Sequence, residues 1–386
     1  MVDLSIHTKD WLEKITPIAD IHDFYKEFYT DETVTYTLPK GDSPEWVDWV
    51  KPPKFGERHK FDKAYVSKIE NGSVWMCDKG EGMVYTLAPD NTYFHDMVFH
   101  LYWNYFEKIA VNSIPSASAY EGTLGVLAWA GHANYWHWLH DTLGRYHLLQ
   151  LSGFKIDKYV LPPLTLPFQR ETIKLLGIPE EKILQLTPGM HVKAEQLILP
   201  SVPFNAGTCV KWTIEFLRSA LLKKDSYRSA NPEKRIYISR EDASWRKVAN
   251  EGKLLELLTR KGFKKIVLST LTVEEQIALF SSADVIISPN GAGLANLMFC
   301  QPRTKIIQLF TATSDEFIKI GQYLDLDYRF LKCRNANPVS TEHEVIKNLV
   351  VECKKGKPVF TRQEVIQNPV VDLKKIAEIL KEEGID

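Results

Sequence analysis

Asp284-Val-Ile-Ile-Ser288 runs directly into Pro289-Asn290-Gly291-Ala292-Gly293-Leu294-Ala295-Asn296. A short apolar strand that turns on glycines into a helix is a joint of an open α/β sheet. Gly291 and Gly293 let the backbone approach another group without side-chain hindrance, and the first-turn N–H groups point outward with the positive end of the helix dipole behind them. That arrangement suits an anion, and a phosphate is its natural guest. An isolated turn of this kind is as often plain turn chemistry. A second strand adds weight, because Arg235-Ile-Tyr-Ile-Ser-Arg240 ends in a cation and is followed by Arg246 and Asn250. Cations and amides thus arrive at the carboxyl edge, where open α/β sheets hold ligands, and planar guanidinium groups suit bidentate phosphate contacts.

Outward from this joint, strands and helices alternate: Arg235–Ser239 strand, Gly252–Lys261 helix, Lys265–Leu268 strand, Val273–Ser281 helix, Asp284–Ser288 strand, Gly293–Phe299 helix and Lys305–Phe310 strand. Such repetition implies a parallel sheet covered by helices. The polar stretch Lys224–Lys234 reads as a boundary. Before it the pattern is similar but looser: Gly125–Trp129 strand, Asn134–Leu151 helix, Lys158–Pro162 strand, Gln169–Leu176 helix, Gln196–Leu199 strand and Trp212–Lys223 helix. Residues up to about 110 read as β-rich, with Thr33–Leu38, Ala64–Ile69, Ser73–Cys77 and Met83–Leu87 strand-like and Asn71-Gly72 and Gly80-Glu81-Gly82 as turns. The amphipathic helix Asp372–Glu383 must pack somewhere, and the first domain is a candidate surface.

A chain of 386 residues suggests two or three domains. With 25% charged and 44% hydrophobic residues, it has ordinary globular core material. The net charge of −1 gives no general drive toward nucleic acid or anionic membrane, so phosphate recognition must be local. Cys77, Cys209, Cys300, Cys333 and Cys353 are odd in number and form no C-x-x-C pair, which favours thiols in a reducing compartment. The charged N-terminus lacks the apolar stretch of a signal peptide, and no run is long enough for a membrane span. These features read as a cytoplasmic protein, with peripheral membrane contact still compatible.

A second concentration of chemistry lies at His132-Ala-Asn-Tyr-Trp-His-Trp-Leu-His-Asp-Thr-Leu-Gly-Arg145. Spacings of three and four put Asn134, His137, Asp141 and Arg145 on one helical stripe, with Trp138, Leu139, Thr142, Tyr146 and Leu149 forming an apolar face. His137 and Asp141 can touch, and either can serve as a general base oriented by the other. The plainer alternative is a capped helix whose polar stripe is solvated, with His140 and His147 as ordinary partly buried histidines, and that reading is preferred for these two. A metal cluster of His137, His140 and Asp141 lacks further ligands elsewhere. Asp325-Leu-Asp327 has the D-x-D form that can hold a divalent ion, but it reads as a solvated pair after the last strand of the alternating pattern.

Together these motifs resemble glycosyltransferase family 61, over roughly residues 120–315. The anchors are Asn134-Tyr-Trp-His137-Trp-Leu-His-Asp141, Tyr237-Ile-Ser-Arg240 with Arg246 and Asn250, Glu275-Gln276, and Pro289-Asn290-Gly-Ala-Gly-Leu294. Many members carry histidine where this chain has Asn290, and asparagine can donate a hydrogen bond but not carry a proton. Members with proline before the helix arginine also differ from Gly144-Arg145.

The resemblance implies a GT-B fold of two Rossmann-like domains facing a cleft, here with a β-rich N-terminal elaboration. The acceptor-side domain would span 1–224 and the nucleotide-sugar domain 225–371, with 372–386 as a terminal helix. It further implies inversion at the anomeric carbon, no metal cofactor, a nucleotide-sugar donor with UDP foremost, and a glycan or glycoconjugate acceptor, as in bacterial capsular polysaccharide biosynthesis. Asp141 is then the first-choice base and His137 the second. Arg240, Arg246, Asn250, Gln276, Asn290, Gly291, Ala292, Gly293 and Leu294 would bind the nucleotide, with Gln276 on the ribose or base. Asn134 and Arg145 would meet a sugar. A non-catalytic nucleotide- or glycan-binding protein would keep the arginines and the glycine turn but would not need His137 with Asp141. A metal-dependent hydrolase built on the histidine-rich helix is the other alternative.

Overall fold

The computed structural model describes residues 5–30, 33–43, 55–78, 83–97, 114–203, 209–222, 233–244, 246–311, 316–336, 352–354, 357–359 and 368–385. The Gly80–Gly82 turn and most of the Lys224–Lys234 boundary lie outside them. The chain forms two compact units, one of Met1–Thr35 and Glu57–Leu222, the other of Tyr36–Gly56 and Lys223–Asp386.

The first unit opens with helix α1 (Thr8–Ile15) and strands β1 (Tyr25–Phe28), β2 (Ala64–Glu70), β3 (Ser73–Met76) and β4 (Val84–Leu87). Strand β5 (Ser118–Val126) leads into a helix over residues 135–152, α2, followed by β6 (Lys158–Leu161), α3 (Pro167–Leu175), β7 (Ile183–Gln185), β8 (His191–Pro200) and α4 (Lys211–Leu221). Strands β7, β6, β5 and β8 lie side by side in that order and run parallel. On the far side of β8 the antiparallel β2 and β3 continue the same sheet. Strands β1 to β4 of the β-rich start therefore belong to the first sheet, whereas Thr33–Thr35 pairs with Arg58–Lys60 in a separate two-stranded ribbon. Leu124, Val126, Val160, Leu197 and Leu199 alternate into its core with Ile69, Val74 and Met76. The chain moves from β5 outward to β6 and β7 and then returns to β8 on the other side of β5. The carboxyl ends of β5 and β8 therefore border a point where strand order reverses, a habitual ligand position in such sheets.

In the second unit β9 (Arg235–Ser239), α5 (Glu251–Arg260), β10 (Lys264–Val267), α6 (Val273–Ser282), β11 (Val285–Pro289), β12 (Lys305–Phe310), α7 (Glu316–Tyr323) and β13 (Asp327–Lys332) alternate. The sheet order is β10-β9-β11-β12-β13, all parallel. This is a doubly wound arrangement whose order reverses between β9 and β11. Ile236, Tyr237, Ile286, Ile287, Ile306 and Ile307 are buried, and helices on both faces explain why these strands read as unbroken apolar runs. Helix α6 starts with a capping box in which Thr272 and Glu275 exchange hydrogen bonds.

Three expectations need correction. The alternating pattern does not end at Phe310, because α7 and β13 extend it and place Asp327 at the start of a strand. Residues 36–56 do not belong with the first unit: Lys40–Gly41 pairs with β13 at the sheet edge, and Asp42 accepts a hydrogen bond from Lys332 N at 2.8 Å. Gly41 is required there, since its φ of 94° is left-handed and a β-carbon would overlap the Phe330 carbonyl. The terminal helix α8 (Leu373–Glu382) packs against α5 within the second unit, not on the first. Its Ile376, Ile379 and Leu380 join Val248, Leu254 and Leu258 in one core, and Lys375 Nζ reaches Asp42 at 2.5 Å.

Ile376 is fully buried, so Ile376→Ala should remove about 2–5 kcal/mol of local stability. Hydrogen exchange should quicken in α5 and the β9–β13 sheet while β5–β8 keep their protection. Acceleration confined to the first unit would contradict the placement of α8.

Candidate functional site

The first cluster forms where β5 ends. Asn134 caps α2 by accepting a hydrogen bond from Trp136 N at 2.9 Å. Residues Tyr135–His137 make an α-helical turn, Trp138–Leu143 a π-helical one, and Gly144–Ser152 return to α-helix before Gly153 closes it at φ 71°. The π-turn, closed by Gly144 N–H on Leu139 O, is a geometry that recurs at functional sites. Gly144 lies against Thr213, where a β-carbon would come 2.9 Å from the threonine methyl.

The polar stripe dips into the protein along its length. His137 Nδ1 lies 2.7 Å from Asp141 Oδ2, with the histidine side chain 22% exposed and the aspartate 1%. Loop 129–134 folds back over the imidazole: Trp129 stands 5.6 Å from it, and a β-carbon on Gly131, at φ +84°, would come within 3.5 Å of both rings. Gln169 ties this loop to α3 by donating to His132 O at 3.0 Å. Burial raises the Asp141 carboxyl above its ordinary value, opposed by the His137 hydrogen bond and by the charges of His137 and Arg145. Its Oδ1 has no hydrogen-bond partner among the described residues.

Arg145, expected on a sugar, is 1% exposed. Its guanidinium donates to Pro200 O at 3.0 and 2.9 Å and to Ala128 O at 3.3 Å, so its hydrogen bonds go to the ends of the strands that flank the reversal point. Asn134 is exposed but serves as the helix cap. His140 is buried against Thr213 at 3.2 Å, and burial, then the charge of His137, pulls its pKa down to about 3. His147 is half-buried, bonded to the Tyr29 hydroxyl at 2.8 Å and stacked on Phe216. Both are interior histidines, as the plainer reading has it.

The second cluster occupies the reversal point of the second sheet. Arg240 leaves β9 and lays its guanidinium over Gly291 at the end of β11, filling the space a β-carbon would need. Burial, then the nearby charge of Arg246, lowers the Arg240 pKa to about 10, with Asp242 opposing. Two like charges are held close together where the fold already favours a ligand. Arg246 has φ 58°, an unfavourable conformation for a residue with a side chain, at a cost of about 1–3 kcal/mol. Asn290 is buried, and its N–H bonds to Leu309 O at 3.0 Å. Residues Ala292–Phe299 form a 3-10 helix, tighter than the α-helix expected. Gly293 leaves room for Leu268.

Beneath Arg240, Glu251 accepts hydrogen bonds from the Tyr237 hydroxyl at 2.9 Å and the Ser239 hydroxyl at 2.7 Å. Ser239 Oγ in turn accepts from Glu241 N at 3.2 Å, shaping the turn after the strand. The sequence reading missed this support, although a glutamate twelve residues after Ser239 at a helix start was its only signal.

Two expected nucleotide ligands belong to the scaffold. Asn250 exchanges hydrogen bonds with the backbone of Val371 at 2.8 and 2.9 Å. Gln276 is buried, donating to Leu268 O and Leu271 O and accepting from Asn296. Asp327 is engaged by Lys40 at 2.8 Å and Lys305 at 3.2 Å, whereas Asp325 only turns the chain before it, at φ 54°. Among the described residues, no group of three or more His, Cys, Asp or Glu side chains could hold a metal ion.

The family model described as Glycosyltransferase 61 matches residues 135–307. This stretch, less than half of the chain, runs from the first turn of α2 into β12 and supports the family that the motifs resemble. The match supports a glycosyltransferase, with a sugar donor and a glycan acceptor. A comparison with curated protein sequences returned no match. Among the described residues no helix is long and apolar enough to cross a membrane.

The buried histidines set an acid limit on stability. His140 stays neutral in the fold to about pH 3, whereas an unfolded histidine protonates near 6.5. Unfolding therefore takes up a proton between those values, and stability is lost as pH falls through that window. His132 and His147, both lowered by burial, act in the same sense. Asp141, raised in the fold, acts oppositely: its contribution is lost as pH rises through its folded value. The unfolding temperature should drop from pH 7 to pH 5, and His140→Gln should flatten that drop. Identical slopes in the two proteins would refute the assignment.

Proposed function

We propose that the protein is an inverting, metal-independent glycosyltransferase that moves a sugar from a nucleotide-sugar, UDP-linked in the first instance, to a hydroxyl of a glycan or glycoconjugate. Polysaccharide or glycoconjugate biosynthesis in the cytoplasm, bacterial in setting, and a GT-B division of labour between the units complete this reading. The observation that carries it is Arg240 lying over Gly291 beside Arg246, at the reversal point of a doubly wound sheet. Paired cations there fit a diphosphate, whose charge grows as the bond to the anomeric carbon breaks. The N–H groups at the start of the Ala292–Phe299 helix add to that stabilisation.

His137 is the proposed base, in place of Asp141. Asp141 is too deeply buried to reach an acceptor, whereas its carboxylate can accept a hydrogen bond from His137 Nδ1–H and so leave Nε2 as the basic nitrogen. In the proposed step Nε2 removes the acceptor hydroxyl proton as the oxygen attacks the anomeric carbon. The diphosphate leaves from the opposite face with the bonding electrons. A binding protein without catalysis would not need this buried carboxylate–imidazole pair.

Calorimetry with UDP tests the donor site. Arg240→Ala should lose about 1.5–3 kcal/mol of binding. Gly291→Ala should also weaken UDP while leaving the unfolding temperature nearly unchanged, because the clash falls on the movable end of a side chain. Undiminished affinity in both variants would dismiss the site. For the chemistry, His137→Ala should lower kcat by about 10²–10⁴ with UDP affinity intact. Asp141→Asn should lower it too, since an amide N–H facing Nδ1 favours the wrong tautomer. Activity surviving in His137→Ala but not in Asp141→Asn would return the base to Asp141. Chelator should leave turnover intact, and a loss reversed by manganese would refute metal independence.

A further inference from the structure

Arg145 is a buried cation whose three hydrogen bonds all go to backbone carbonyls: two to Pro200 at the end of β8 and one to Ala128 just beyond β5. Burial lowers its pKa to about 10, against the charges of Asp141 and Tyr65, so it remains a cation at neutral pH. A guanidinium inside a protein is costly unless charge and hydrogen bonds compensate it. Here the compensating charge is Asp141, one helical turn away on the same stripe.

We infer that Arg145 is a positioning residue for the His137–Asp141 pair, tying the helix that carries the pair to the two strand ends at the reversal point and placing a buried positive charge four residues along the helix from Asp141, which biases it toward the carboxylate. This rests on the proposed role of His137 only for its effect on turnover. A carboxylate can only accept, so it stabilises the proton on His137 Nδ1 and leaves Nε2 basic. A protonated Asp141 would donate to Nδ1 instead and move the imidazole proton to Nε2, where the ring cannot act as a base. The charge on Asp141 thus selects the tautomer, and Arg145 biases that charge from a place no ligand touches. The other ionisable groups nearby are His140 on α2, beside His137, and Tyr65 on β2, which acts on Arg145. The charges acting on Asp141 are those of His137 and Arg145, and both favour the carboxylate.

Arg145→Met and Arg145→Lys in the full chain separate the charge from the carbonyl contacts. Nitrogen-15 spectra of labelled histidine, with His137 assigned through His137→Gln, report the tautomer whether or not transfer is observed. In the wild type Nδ1 should carry the proton at pH 7. In Arg145→Met the proton should shift to Nε2, kcat at pH 7 should fall by about 10²-fold, and activity should recover as the pH rises and Asp141 ionises. KM for the donor should not change. Arg145→Lys should restore the wild-type tautomer and acid limb even where its unfolding temperature is lower. A folded Arg145→Met with the wild-type tautomer and pH profile would overturn the inference. Should Arg145→Met fail to fold, Arg145→Lys decides, because an Nε2-protonated His137 in that variant would overturn it equally. A tautomer shift in a protein that transfers no sugar would uphold the positioning role while removing the proposed activity.

Discussion

A carboxylate taken out of water must be met by charge or be protonated, and the first unit is organised around meeting that demand at Asp141. His137 meets one oxygen directly, and the charge of Arg145, four residues along the helix, favours the same form. The arginine then needs acceptors of its own and finds them on Pro200 and Ala128, so the requirement passes from a side chain to the ends of two strands. Geometry at the imidazole is thereby coupled to the register of β5 and β8. The π-turn belongs to the same arrangement, since Asp141 lies within it.

The second unit solves a different problem, that of holding two cations, Arg240 and Arg246, near one another. Its solution is topological. Reversal of strand order parts the chain between β9 and β11, and Arg240 and Gly291 meet in the space left. The neighbouring hydrogen bonds of Glu251 lie one layer beneath and fix the turn that carries Arg240. Gln276 and Asn250 stiffen the surroundings from the α6 and α8 sides.

How much of this was legible in the sequence depends on how local each signal is. Arg235–Ser239 and Lys305–Phe310 coincide with the expected strands because central parallel strands are apolar on both faces. Asp327–Lys332 lacks the unbroken apolar run of the central strands, its polar and apolar residues alternating as in a half-buried strand, and Ile183–Gln185 is too short to show a period. The pairing of His137 with Asp141 followed from a spacing of four. The depth of the stripe did not, since Arg145 is buried with its guanidinium on Pro200 at the end of β8, 55 residues away. The scaffold bonds of Asn250 and Gln276 were not legible, because an amide near a strand end suits a ribose and a backbone group equally well. Arg240 directly follows its parallel strand, as its place in the sequence implies, and its contact with Gly291 is a tertiary feature that no local pattern encodes.

The strand Lys40–Gly41, closing the edge of the second sheet, has a consequence for biosynthesis. A ribosome delivers residues 36–43 long before any strand of the sheet they complete. The second unit cannot finish its edge until β13 emerges, and Asp42 waits longer still for Lys375 on α8. The two units are thus interleaved in the order of synthesis although each has its own core. A fragment starting near residue 223 would carry the doubly wound sheet but leave the outer side of β13 unpaired, open to the edge-to-edge association that exposed strands invite.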